Sequence, residues 1–452
     1  MEQNIKYQLI RTLRCKDVSV PGVLGRLTTA LGNAGANIGN IKTISLGHKY
    51  VVRDLDIFVD DQDHLNRVLQ AVSKVSGVTV IGVRDEVLDL HYRGKIKMVS
   101  TVTVNSLGVL RKVYTPGVAD VCRQIQKDPA LSNTYTSIPN SVAIVTDGTA
   151  ILGLGDIGPI AGMPVMEGKA ALLEQLVGLS GIPILLDTTD TEKIIETVKH
   201  ISPTFGAIQL EDIASPRCFD IYVRLRDELD IPVRHDDQQG TAVVVLAAVL
   251  NACKIVKLDP KKAVIGQIGL GAAGLTIAET LFKFTGNPVL GTARTEASLK
   301  RHEARGGLAS NLSEIMKKAD IVIGCSGVKG LIIPESVRRG QVILALSNPE
   351  PEIDPAVALK HGAALAADGK SVNNLLGYPG IWRGTLDCRA SRINEQMLLA
   401  AALALSKEAP EHELMPDPLN GKVHRAVSRA VARAAMESGV ARQALDEDYF
   451  ES

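Results

Sequence analysis

AVIGQIGLGAAG, residues 263–274, opens with the apolar run Ala263 to Ile268 and then breaks into glycine at Gly269, Gly271 and Gly274. A GxGxxG spacing is weak evidence alone, but here it follows a strand-like run and leads into an apolar helical stretch, 275–284, the context of a dinucleotide-binding turn. The first glycine permits the tight turn, the second lets backbone approach a pyrophosphate, and the third allows close packing of helix on strand. The amides of Ala272 and Ala273 would open the helix toward that phosphate. The expected fold is therefore α/β with a Rossmann-type nucleotide domain. An acid at the end of the next strand would bind the adenosine ribose and favour NAD. That strand, expected over 288–291, runs instead into Ala293 and Arg294, with Lys300 and Arg301 beyond. This favours NADP over NAD, while Arg294 as an ordinary solvated charge stays open.

Outward from this turn, 452 residues exceed one ordinary core and imply several domains. Apolar residues at 45% and charged residues at 22% describe an ordered globular chain. Lys plus Arg and Asp plus Glu are both 50, so no charge excess points to nucleic acid or an anionic membrane, and a small molecule is the expected partner. Residues 1–13 lack the apolar core of a signal peptide, and no later run reads as a membrane span, so a cytoplasmic location is expected. Six cysteines stand singly without a CxxC pair, which points to buried free thiols rather than a zinc site or disulfides.

Four regions follow from the patterning: 1–90, 95–236, 237–390 and a helical segment at 391–452 with a break near 410–418. The first alternates strand and helix signals: strands near 7–13, 38–44, 50–59 and 78–83, with helices after Pro21-Gly22 and after Asp61. The order βαββαβ is ferredoxin-like. PGVLGRLTTALGNAGANI, 21–38, resembles the signature stretch of ACT domains, which implies a small effector near Gly22 and Asn37, or equally a pairing module without ligand. In 95–236, strands expected at 142–145, 182–186 and 207–210 end at Asp147, Asp187, Glu211 and Asp212, where open α/β sheets gather ligands.

VYTPGVADVC (113–122), VTDGTAILGLGDIGPIAGMPVMEGKAAL (145–172), IQLEDIASPRCFDI (208–221), VRHDDQQGTAVV (233–244), SNPEPEI (347–353) and NNLLGYPGIWRGTLD (373–387) together resemble bacterial-type malic enzymes over most of 95–445. The resemblance implies oxidation and decarboxylation of malate to pyruvate with NAD or NADP and a divalent Mg2+ or Mn2+, in a homodimer or homotetramer. Glu211 and Asp212 end one strand, and Asp237 lies in a second acidic pair; the resemblance makes these three the metal ligands, and hard oxygens suit those ions. It makes Lys169 the general base for the malate hydroxyl and Tyr114 the acid that protonates the enolate carbon. Without the resemblance, Lys169 reads as a surface charge and Tyr114 as a packing residue. Asp236 is placed to hydrogen-bond and orient the lysine. Asn348 and Asn374 match asparagines that hold substrate, Asn348 also lying toward the cofactor; the ordinary reading of each is an Asx turn. One departure stands out: Ala150 follows Asp147-Gly148-Thr149 where larger relatives carry a substrate-binding arginine, so other groups must hold the carboxylate. Rival readings are a malolactic enzyme that releases lactate, a metabolite sensor without catalysis, and an amino-acid dehydrogenase.

Overall fold

The computed structural model describes residues 9–151 and 153–451. Residue 7, the expected start of the first strand, lies outside them. The chain divides into two compact units, Met1–Lys97 and Met98–Ser452.

In the first unit, strands β1 (Leu9–Val18), β2 (Asn37–Leu46), β3 (Tyr50–Val59) and β4 (Val78–Arg84) alternate with helices Val23–Asn33 and Gln62–Ser73 in the order βαββαβ. The sheet is antiparallel with order β2-β3-β1-β4. Alternation sets one face inward: Leu13 and Cys15 of β1 and Leu55, Ile57 and Val59 of β3 pack on Leu27 and Leu31 of one helix and Leu65, Val68 and Val72 of the other. Asp61 caps the second helix by accepting from the His64 amide at 2.7 Å. Gly22 precedes the first helix at φ +84°, a conformation that favours glycine. Asn37 accepts from the neighbouring Ile38 amide at 3.0 Å.

The second unit carries two parallel sheets. The first joins β5 (Ser141–Thr146), β6 (Ser180–Leu185), β7 (Ala207–Leu210) and β8 (Val233–His235) in the order β6-β5-β7-β8. Strand order reverses at β5, so the carboxyl ends of β5 and β7 flank the switch-point crevice where ligands of such sheets bind. The second joins β9 (Ile265–Ile268), β10 (Leu290–Thr292), β11 (Leu308–Ala309), β12 (Ile321–Gly324), β13 (Val342–Ala345) and β14 (Leu365–Asp368) in the order β11-β10-β9-β12-β13-β14, the doubly wound nucleotide-binding arrangement. Strands β5, β9, β12 and β13 are buried along their full length, as parallel strands covered on both faces must be.

Two expectations need correction. The helical run Asp236–Val256 is long and apolar enough to cross a bilayer by length and composition, yet 78% of its most apolar window is buried inside the protein, so its apolarity is that of a core helix. The thiols are not all buried: Cys122 is exposed and Cys325 half-buried, because the helix carrying Cys122, Val118–Lys127, has no buried side chain.

Candidate active site

Strand β7 ends at Leu210, and Glu211 and Asp212 follow directly. Gln209, two residues earlier on the same face, donates through Nε2 to Glu211 Oε2 at 2.7 Å and accepts from Trp382 Nε1 at 2.6 Å. Asp212 holds φ +52°, a left-handed backbone uncommon for a residue with a side chain, and its amide donates to Asp237 Oδ2 at 3.0 Å. Beyond β8, Asp236 and Asp237 begin a π-helical turn, Asp236–Gly240, that widens the entry to the core helix. Oxygen atoms of Glu211, Asp212 and Asp237 lie within 4.8 Å of one another.

These three side chains suit a hard divalent cation. Burial first, then Asp237 and its neighbours, push Asp212 up to about 8. Burial likewise raises Glu211 well above the carboxylate range, although Lys169 opposes it. Two carboxylates that resist charging in the protein alone are what a bound dication relieves. The sign follows for stability. The cation-free protein binds more protons at Asp212 folded than unfolded, so this stability is full below about pH 4 and is lost as pH rises through about 8. Mn2+ should therefore raise the unfolding temperature much more at pH 8 than at pH 5.5 in a thermal melt; equal shifts would contradict this balance.

Lys169 projects from the helix Pro159–Val177, its Nζ 2.6 Å from Asp236 Oδ2 and 3.0 Å from Glu211 Oε1. Burial alone would depress its pKa, but the attraction of Asp236 and Glu211 outweighs burial and holds it well above the usual lysine value. Asp236 is fully buried. It accepts from Arg234 Nη2 at 2.6 Å and from Asn374 Nδ2 at 2.7 Å as well as from Lys169. Burial opposes its ionisation, yet Lys169 and Arg234 keep its pKa below the ordinary value. Arg234 in turn lies over Trp382, 5.3 Å from the ring centroid, and Lys169 lies 5.0 Å from the centroid of Tyr378, whose buried hydroxyl has no partner among the described residues. Burial pushes the Tyr378 phenol above its ordinary range.

The nucleotide turn is built by contact. A Cβ on Gly269, at φ +89°, would stand 2.5 Å from the Cys325 carbonyl, and one on Gly274 would stand 1.9 Å from the Gly269 carbonyl. At Gly271 a Cβ would meet nothing within 4 Å, and no side chain caps the helix Ala272–Thr285 that it precedes. Its first-turn amides, including those of Ala272 and Ala273, therefore suit a phosphate. Gly274→Ala should cost about 3 kcal/mol by overpacking, read from urea unfolding; an unchanged midpoint would show that the turn yields freely.

The sequence-derived residues fall into three groups. Lys169, Glu211, Asp212, Asp236, Asp237 and Asn374 converge at the carboxyl end of the first sheet. Asn373, the alternative to Asn374, caps its own turn by accepting from the Leu375 amide at 2.9 Å. Gly269, Gly271, Ala272, Ala273, Gly274, Arg294 and Asn348 belong to the nucleotide domain. Its loop after β13 reaches the first sheet's loops, since a Cβ on Gly153 would touch Pro349 Cδ at 3.0 Å. Arg294 is exposed and has no ion-pair partner among the described residues. Tyr114 stands apart. It ends the helix Leu107–Val113, is 69% exposed, and its phenol has no partner among the described residues.

Sequence reasoning missed Gln209, Arg234, Trp382 and Tyr378, which surround Lys169 and Glu211, and Glu352. Wholly buried Glu352 accepts from the Ser326 amide and hydroxyl, each at 2.7 Å, and so ties the loop after β12 to the one after β13. Arg234 had one signal, its place two residues before Asp236 on a strand.

Comparison with known proteins agrees with this architecture. The malic enzyme N-terminal domain family matches residues 93–226, the ACT domain family 11–82, and the malic enzyme NAD binding domain family 355–440. A NAD-dependent malic enzyme of Bacillus subtilis is 55% identical over 434 residues, covering 96% of this chain and 99% of the relative. A NAD-dependent malic enzyme of Geobacillus stearothermophilus is 43% identical over 446 residues, 92% of each chain. The crystal structure of a Pyrococcus horikoshii malic enzyme superposes with a TM-score of 0.76 at 40% identity, covering 80% of this chain and 93% of that one. The chain belongs to the malic enzyme family and carries an ACT domain at its N-terminal end.

Proposed function

We propose that this chain oxidises L-malate with NAD+ and releases pyruvate and CO2. The observation that carries the reading is the Lys169 amine, 2.6 Å from Asp236 and 3.0 Å from Glu211, beside three carboxylates whose oxygens lie within 4.8 Å of one another. Glu211, Asp212 and Asp237 would hold Mg2+ or Mn2+, which would supply a Lewis acid for the oxygen on C2. The Gly269–Gly274 turn and the first amides of the helix Ala272–Thr285 would hold the pyrophosphate of NAD+, which would supply the hydride acceptor.

Lys169 takes the proton of the C2 hydroxyl as the C2 hydrogen leaves with its electron pair, which gives oxaloacetate. To do so the amine must be neutral. Both carboxylates beside it favour the ammonium, and commitment of Glu211 to a cation would reduce the negative charge that Lys169 feels. Asp236, clamped by Arg234 and Asn374, fixes where the amine stands. The C3–C4 bond then breaks, CO2 departs, and the electron pair left behind forms the enolate of pyruvate. In this reading Tyr114 protonates C3. Its exposure, together with that of Met98 at 94% and Leu107 at 73%, supports a homo-oligomer in which a second copy covers this stretch. In this reading Asn348, on the loop after β13 that meets Gly153, would bind substrate from the nucleotide domain.

NAD replaces the NADP expectation: the two relatives of 55% and 43% identity are both named NAD-dependent, and exposed Arg294 is equally at home in solvent. A cytoplasmic location and a small effector on the ACT domain complete the reading. A steady-state assay with L-malate, comparing NAD+ with NADP+ and Mn2+ with chelator, tests it. NADH and pyruvate should form one to one, faster than NADPH, and only with the cation. Lactate without net NADH, or a requirement for ammonia, would overturn it.

A further inference from the structure

We propose that Arg217 is the specificity-determining cation that binds a carboxylate of the substrate, an assignment that rests on the dicarboxylate substrate proposed above. A substrate with two negative charges needs cationic partners besides a single dication. Of the cations paired to carboxylates at the carboxyl end of the first sheet, two are already committed. Arg234 is 1% exposed along its side chain, bound to Asp236 and covered by Trp382. Lys169 is held by Asp236 and Glu211 and must exchange a proton.

Arg217 differs. Its Nη2 donates to Asp147 Oδ2 and to Thr149 Oγ1, both at 2.6 Å, which fixes the plane of the guanidinium. Nε is buried, and neither it nor Nη1 has a partner among the described residues, on a side chain 26% exposed. The fork is thus held at one end and open at the other, as recognition of a carboxylate requires. Its support belongs to the same rim as the three clustered acids. The Ala150 amide donates to the Asp212 carbonyl at 3.0 Å, and the Ala214 amide donates to Thr149 Oγ1 at 3.0 Å. These bonds sew the turn after β5 to the loop that carries Asp212 and Arg217. Ala150, on that turn, brings no charge of its own, so Arg217 supplies the positive edge there.

Kinetics of full-length R217Q and R217K with L-malate, NAD+ and Mn2+ test this. Loss of one charge-assisted pair should raise the malate KM about 30-fold in R217Q, with the NAD+ KM and the Mn2+ dissociation constant within about 2-fold of the parent. R217K keeps the charge beside Asp147 but loses the fork, and should raise the malate KM about 5-fold; it decides the matter if R217Q does not fold. An unmoved malate KM, or malate, NAD+ and Mn2+ constants that all shift together, overturns the assignment while leaving the proposed reaction intact. A parent that neither turns over nor binds malate overturns both.

Discussion

Lys169→Met should lower kcat with malate by at least about 1,000-fold, the scale of a lost general base, while the protein stays folded and binds NAD+ as the parent does. Methionine keeps the apolar stem, and Asp236 retains its bonds to Arg234 and Asn374 at 2.6 and 2.7 Å. Removal of the ammonium also takes a repelling charge away from the three acids, so Mn2+ should bind more tightly, not less. Rapid-quench turnover and Mn2+ titration read the two effects separately. A loss under tenfold, or weaker Mn2+ binding, would mean that the amine is structural and the proton goes elsewhere.

Asp212→Asn should reduce Mn2+ affinity about 100-fold or more, since one of three anionic donors becomes neutral, and turnover at ordinary cation concentration should vanish with it. Asparagine tolerates the left-handed backbone that position 212 holds at φ +52°, so the fold has no reason to fail. The cation-free variant should be more stable than the cation-free parent at pH 8, because a carboxylate whose pKa burial and Asp237 push to about 8 no longer charges there. Chemical denaturation in chelator checks the sign. A variant less stable than the parent under those conditions would show that Asp212 is held by contacts other than a cation.

The parts of the fold that were readable in advance are those with local periodicity. Strand β3, Tyr50–Val59, and strand β7, Ala207–Leu210, are bounded by turn residues and alternate or run apolar, so their limits follow from their own sequence. The nucleotide turn is equally local, with strand, glycines and helix contiguous. Residue roles were readable only through resemblance, since nothing near Lys169 in sequence says that it meets Asp236, 67 positions away. The surrounding residues lie further out of reach: Trp382 reaches Gln209 across 173 positions, and Asn374 reaches Asp236 across 138. No period or spacing encodes such contacts. The π-helical turn at Asp236–Gly240 is a similar case, because its sequence reads as the start of an ordinary helix. Tyr114 shows the converse. Its motif is readable, but Tyr114 is exposed, and the phenol ring beside Lys169 within the chain, 5.0 Å from its amine, is that of Tyr378.

Everything chemical depends on Glu211, Asp212 and Asp237 sharing one ion next to an amine. Titration of the cation-free protein with Mn2+, followed by electron paramagnetic resonance, measures this directly. One tightly bound Mn2+ per chain, lost in Asp237→Asn and perturbed by added malate, is the expected result. A parent that binds no Mn2+ tightly, or binds it equally well in Asp237→Asn, would contradict the site.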